Sequence, residues 1–358
     1  MKRLRICLIA SSRFPVAEPF AGGLEAHTHS LTCALVALGH TVTLFAAEGS
    51  DSALGARVLA AEQFHPSALA RRDIAAPPSH WMQEHHAYLS LCLELMATGA
   101  ARFDVIHNNS LHHLPIAMSA SIPLPIVTTL HTPPTPWLES ALRFASDRSR
   151  FVAVSAFTAR QWQGAAPATV IPNGVDVSRW TPGPGGGPPI WFGRLVPEKA
   201  PHLAIHAARL AGMPLDIAGP ILDPGYFETM VVPLLGSGIR YIGHLDSLTL
   251  ARRVGEASVT VVTPVWDEPY GLVAAESMAT GTPVAAFARG GLTEVVSPDS
   301  GRLCTPDDVS AMAQCMVEAS TLSRAKTRAH AVAHCSIDAM VSAYERFYES
   351  VTGKEQAA

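Results

Sequence analysis

Short apolar runs alternate with helix-period segments along most of the chain. The stretch 4–10 reads as a buried strand and Gly22-Gly23 as a loop. A helix follows over 24–38, with apolar residues at 24, 31, 35 and 38 and Gly39 as its C-cap. The next strand is 41–46. A strand, a helix and a second strand in this order form a βαβ unit, which joins parallel strands by a right-handed crossover. The alternation recurs, with strands predicted over 104–107, 126–130, 151–154 and 169–171. It breaks at 181–189, where four prolines and four glycines hold neither a helix nor a central strand, so this run reads as a linker. Beyond it the scheme restarts, with strands at 190–193, 215–218, 240–242, 259–263 and 283–287 and helices at 201–210 and 272–280. The final segment, 337–351, sets Ile337, Met340, Val341, Tyr344, Phe347, Tyr348 and Val351 on one helical face.

Two such arrays predict an α/β protein of two doubly wound, Rossmann-like domains facing each other across a cleft. The division expected is 1–180 and 181–336. Open α/β sheets bind ligands at the carboxyl ends of their strands, so the cleft is the expected site. The 358 residues suit two domains and can bury a core without a disulfide or metal staple. Lys and Arg number 26 against 30 Asp and Glu, a balance of −4 that argues against a nucleic-acid binder. Hydrophobic residues at 48% against 16% charged exclude a disordered chain. The mean hydropathy of +0.20 comes from dispersed alanines, and no run approaches the ~20 apolar residues of a spanning helix. The basic start, Met1 to Ile6, runs into a strand-like segment too short for a secretory signal. Cys7, Cys33, Cys92, Cys304, Cys315 and Cys335 are far apart and form no Cys-x-x-Cys, as expected of a reduced, cytoplasmic protein.

Four places can carry chemistry. Glu268-Pro269-Tyr270-Gly271-Leu272-Val273-Ala274-Ala275-Glu276 follows a strand and opens a helix. The N–H groups of Gly271, Leu272 and Val273 would stand at the positive end of that helix, ready for an anion, with Glu276 one turn further in. The same acids also suit a helix N-terminus with no ligand. Arg194 and Lys199 follow a strand end in Gly193-Arg194-Leu195-Val196-Pro197-Glu198-Lys199, where two cations suit a diphosphate or simply pair with Glu198. Gly22-Gly23 can admit a phosphate close to the backbone or merely turn the chain. It is not Gly-x-Gly-x-x-Gly, so the dinucleotide fingerprint is missing. His131, just past a strand in Thr128-Thr129-Leu130-His131-Thr132-Pro133, can meet a sugar hydroxyl or transfer a proton, or serve as a capping or core histidine. No pair among the 16 histidines has metal-ligand spacing within a helix, so no metal is expected.

The order and spacing of these segments resemble the GT-B glycosyltransferases of family 4 over nearly the whole chain. Glu268 to Glu276 is similar to the family's paired-glutamate segment, and Ala279-Thr280-Gly281-Thr282-Pro283-Val284 to the turn after it. Gly290-Gly291-Leu292-Thr293-Glu294-Val295 resembles the next Gly-Gly loop and its acid, and Ile171-Pro172-Asn173-Gly174-Val175-Asp176 the interdomain signature. The resemblance implies a C-terminal nucleotide-sugar domain and an N-terminal acceptor domain, with helix 337–352 packing back on the latter. The nucleotide-diphosphate sugar, UDP-glucose or a similar UDP-sugar, would be a co-substrate with no resident cofactor. Glu276 would bind the ribose, and the amides of Gly271, Leu272 and Val273 the diphosphate or sugar. Arg194 and Lys199 would neutralise the leaving diphosphate, and Glu268 would touch donor-sugar hydroxyls. Gly23 would approach the diphosphate from the other domain, and His131 would stand by the transferred sugar. His244 and Leu245 would lie by the base. Transfer would be metal-independent, retaining and front-face, without the paired carboxylates of a glycosidase.

The acceptor-side loops are lean, and no basic amphipathic helix stands out near 88–96, which favours a soluble small-molecule or glycan acceptor over a membrane lipid. A GT-B epimerase and a non-catalytic nucleotide-sugar-binding protein are the alternatives. A dehydrogenase is disfavoured by the missing glycine fingerprint.

Overall fold

The computed structural model of the chain describes residues 3–58 and 64–353. Met1 and Lys2 of the basic N-terminal run lie outside them. The first sheet contains β1 (Arg5–Ile9), β2 (Thr41–Ala46), β3 (Ala56–Val58), β4 (Val105–Asn108), β5 (Ile126–Leu130), β6 (Ser149–Ala153) and β7 (Ala168–Val170). The second contains β8 (Ile190–Phe192), β9 (Leu215–Ala218), β10 (Ile239–Tyr241), β11 (Thr260–Val262), β12 (Val284–Phe287) and β13 (Gly301–Cys304). The orders are β3-β2-β1-β4-β5-β6-β7 and β10-β9-β8-β11-β12-β13. Pairing between neighbouring strands is parallel throughout both sheets. Strand order reverses between β1 and β4 and again between β8 and β11, which creates one crevice at the carboxyl end of each sheet. This is the two-domain architecture expected.

The strands are apolar on both faces because helices cover both faces of a parallel sheet. Period-two alternation sorts β1: Ile6 and Leu8 pack toward the helices Gly23–Ala37 and Ile337–Thr352, while Cys7 and Ile9 pack toward the helix Ser79–Arg102. The last helix thus completes the core of the first domain. Its Tyr344 and Tyr348 are fully buried. The Tyr344 hydroxyl lies 2.9 Å from Thr129 Oγ1, and the Tyr348 hydroxyl 2.6 Å from His107 Nδ1.

The core changes partner before the Pro/Gly run. Ile171 belongs to the first core, whereas Val175 and Trp180 belong to the second. The run at 181–189, read as a linker, is strapped to the second domain. Gly183, Gly185 and Gly187 donate to the carbonyls of Thr280, Gly255 and Glu256 at 3.1, 2.9 and 2.8 Å. Arg324 gathers the carbonyls of Gly183, Gly255 and Ala257. The chain crosses between domains twice, and the crossings are bonded to each other. Val175 N donates to Cys335 O at 2.8 Å and Ile337 N to Val175 O at 2.9 Å. Gly174 makes this possible: a Cβ there would stand 2.6 Å from Ile337 Cα and 2.6 Å from Ser336 O.

Candidate functional site

A cavity of about 380 Å³ separates the domains at the two strand-order reversals. Gly23, His131, Arg194, Lys199, His244, Leu245, Glu268, Gly271, Leu272, Val273 and Glu276 all line it.

On the C-terminal wall, Gly193 follows β8 and leads to Arg194, and the single turn Pro197–Lys199 delivers Lys199. The loop after β11 leads to the helix Leu272–Ala279. Gly271 caps that helix with φ +107°, a left-handed conformation in which a Cβ would meet Leu292 Cδ2 at 2.6 Å. Among the described residues, no acceptor occupies the N–H groups of Gly271, Leu272 or Val273. Three donors and the positive end of the helix therefore face the cavity. Glu276 stands half-buried beside them, and its carboxyl group has no hydrogen-bond partner among the described residues. Loss of solvent raises its carboxyl to about 8.

Arg194 pairs loosely with Glu198 at 3.7 Å and passes close to Gly22 of the facing domain. Lys199 and Glu268, which the sequence reading gave to the diphosphate and to the sugar, lie side by side on this wall. They are ion-paired, Lys199 Nζ to Glu268 Oε1, and Trp266 Nε1 donates to the same oxygen at 2.9 Å. Lys199 also lies over the Trp266 ring, 5.4 Å from its centre. The Glu268 loop is pinned from behind by Gly291 N, which donates to Glu268 O at 2.6 Å.

On the N-terminal wall, the helix Gly23–Ala37 begins at the cavity. Its Glu25 is buried, and desolvation raises its carboxyl while the nearby charge of Arg194 opposes that rise. His131 follows β5. Asn109 Nδ2 donates to Thr28 Oγ1 at 3.4 Å, so its Oδ1 accepts from His131 Nε2–H at 2.8 Å. This assignment leaves His131 Nδ1 as a bare acceptor. Burial, with a smaller contribution from His27, holds the imidazole neutral, well below its ordinary pKa.

The two walls touch at several points. His244, expected to lie by a base, has its Nε2 3.0 Å from the Phe20 carbonyl of the opposite domain. Leu245 packs against the second core. Arg179 pairs with Glu18. Ser155 Oγ and Thr158 Oγ1 donate to Pro269 O at 2.5 and 3.1 Å. Glu294 reaches from the second domain to accept from the N–H groups of Ala156 and Phe157 at 2.8 and 2.6 Å, capping the helix Ala156–Trp162.

The sequence reading missed Trp266, Glu25 and His27 as cavity-side groups and Asn109 as the partner of His131. Trp266 sits two residues before Glu268 and was within reach of a local argument. Asn109 and His27 converge on His131 only through the packing of β4, β5 and the first helix. Among the described residues no group of three His, Cys, Asp or Glu is placed to hold a metal ion, and no helix is long and apolar enough to cross a membrane.

Comparison with known proteins agrees with this architecture. Two family models match in succession: Glycosyltransferase Family 4 over residues 21–179 and Glycosyl transferases group 1 over residues 190–332. A glycogen synthase of Mycobacterium tuberculosis is 30% identical over 362 aligned positions, covering 87% of this chain and 84% of its own length. A sucrose-phosphate synthase from Thermosynechococcus elongatus superposes with a TM-score of 0.78 at 21% identity, covering 98% of this chain and 99% of that one. Anabaena HepE in complex with UDP-glucose superposes with a TM-score of 0.73 at 17% identity, covering 97% and 100%. The two strand-order reversals and the cavity between them are thus those of a GT-B protein, and the chain belongs to the family 4 glycosyltransferases.

Proposed function

We propose that the enzyme moves a hexose from a nucleotide-diphosphate sugar, UDP-glucose or a close analogue, to a hydroxyl of a soluble small-molecule or glycan acceptor, with retention at the anomeric carbon. One observation carries the reading. Three open amides at the start of the helix Leu272–Ala279 share a cavity wall with Arg194 and Lys199, a donor set suited to a diphosphate. The likeness to a glycogen synthase and to a structure holding UDP-glucose supports the same class of donor.

In this reading the diphosphate lies against the N–H groups of Gly271, Leu272 and Val273, with Gly23 closing on it from the other domain. Arg194 and Lys199 neutralise the charge that builds as the diphosphate leaves, in place of a divalent ion. Glu276 accepts from the ribose hydroxyls. Glu268, steered by Lys199 and Trp266, accepts from hydroxyls of the sugar, and His131 Nδ1 accepts from another. The base lies toward His244 and Leu245. The bond from the anomeric carbon to the diphosphate oxygen breaks, and the acceptor oxygen bonds to the same face. The acceptor proton passes to the departing diphosphate. The nucleotide sugar is consumed as co-substrate, no resident cofactor is required, and the reaction runs in the cytoplasm, where the six free thiols remain reduced.

The test is a panel of nucleotide sugars in EDTA, read by thermal midpoint and by release of nucleotide. One donor should raise the midpoint and be hydrolysed slowly without acceptor. A strict need for a divalent ion, or no response to any nucleotide sugar, would contradict the reading.

A further inference from the structure

Three histidines of the first domain are buried, and two have work for both ring nitrogens. His40 accepts from Leu4 N at 3.1 Å through Nδ1 and meets Glu345 at 3.2 Å through Nε2. His107 meets Tyr348 at 2.6 Å and Thr129 at 2.8 Å. His27 differs. It is 2% exposed, yet neither its Nδ1 nor its Nε2 has a hydrogen-bond partner among the described residues. Its ring lines the cavity, edge-on to His131 with centres 5.1 Å apart and planes at 69°. A buried donor and acceptor left unpaired are costly, and such groups in a binding cavity are paired by what the cavity holds.

Burial pushes the His27 pKa down to about 4, so near neutrality the ring carries one N–H and one lone pair. The neighbouring His131 adds a second lone pair, since Asn109 occupies its other nitrogen. One donor and two acceptors, all uncharged, match hydroxyl groups, which both give and receive. They do not match a carboxylate, which would need a cation at this point.

We propose that His27 is a positioning and specificity residue that, with His131, holds a hydroxyl of the transferred sugar and so selects an uncharged hexose over a uronic acid. This rests on the nucleotide-sugar reading above. The first helix then has two tasks: its Gly22-Gly23 start admits the diphosphate, and His27, one turn on, reads the sugar.

The experiment compares His27→Phe and His27→Gln with the unaltered enzyme in titrations of UDP, UDP-glucose and UDP-glucuronate. Loss of these bonds should weaken UDP-glucose about tenfold in the Phe variant while UDP, which has no sugar, binds within about twofold of the unaltered enzyme. The Gln variant, with one donor and one acceptor, should recover part of the loss. UDP-glucuronate should bind the unaltered enzyme at least about tenfold more weakly than UDP-glucose. Equal weakening of UDP and UDP-glucose in both variants, or no weakening of either, overturns the role of His27. If the unaltered enzyme binds none of the three, the nucleotide-sugar reading itself fails. Should the Phe variant not fold, the Gln variant alone decides, through the ratio of its UDP and UDP-glucose affinities.

Discussion

Glu276 is a carboxyl held in a poorly hydrated wall with nothing to pair it, and this makes it a pH-sensitive group. In the unfolded chain it titrates near the ordinary value of about 4.3. Below that pH both states carry the proton and the penalty on the charged form vanishes. As pH rises toward 8 the unfolded chain ionises more readily than the folded one, so stability drains away across this window. Glu276→Gln removes the penalty. Without ligand, the variant should melt above the unaltered enzyme at pH ~8 and together with it near pH ~4, while its affinity for a UDP-sugar falls about tenfold through loss of the ribose contact. Calorimetry at the two pH values and one titration check both parts. The Lys199–Glu268 pair makes a second residue-scale prediction. Glu268→Gln leaves Lys199 without its anion, so UDP should bind about threefold or more tightly while turnover falls. Equal or weaker UDP binding would show that Lys199 does not reach the diphosphate.

At the scale of elements, the central strands and the two glycine-started helices were legible because their apolar runs and caps are local signals. β3 and β13 were not: β3, Ala-Arg-Val, has a charge at its centre, and β13, Gly-Arg-Leu-Cys, is only half apolar. The helix Ser79–Arg102 carried a readable stripe, Ala87, Tyr88, Leu91, Cys92, Leu95 and Gly99, diluted by His80, His85 and His86. The strapping of the Pro/Gly run by Arg324 was out of reach, since it depends on a residue more than a hundred positions away. Arg194, Lys199, Glu268 and Glu276 were legible as cavity residues from spacing and the family resemblance. Pairing of Arg194 with Glu198 was within reach of the sequence, but the Lys199–Glu268 pair was not, because spacing carries no side-chain direction. The crossing at Gly174 leaves no room for one added methyl. Gly174→Ala must push backbone against backbone, and a loss of about 2–3 kcal/mol in urea unfolding is expected.

At the scale of the whole molecule, polar contacts clasp the two domains together. Glu294 capping Ala156–Trp162 and the hydroxyls of Ser155 and Thr158 on Pro269 O hold the loop that bears Glu268 against the first domain. Closure and the arrangement of the sugar site are therefore coupled. Glu294→Ala should open the unliganded molecule, increasing its radius of gyration in solution scattering, and saturating UDP-sugar should reverse the increase. An unchanged radius would show that this clasp does not set the domain angle. The account as a whole depends on a diphosphate seated against the amides that begin at Gly271, between Arg194 and Lys199. Titration calorimetry of uridine and of UDP in EDTA, on the unaltered enzyme and on Arg194→Ala/Lys199→Ala, measures that contribution directly. The account predicts that UDP binds the unaltered enzyme about a hundredfold or more tightly than uridine and that the double variant loses most of the difference. Uridine and UDP binding alike, or a double variant that keeps the full preference, would contradict it.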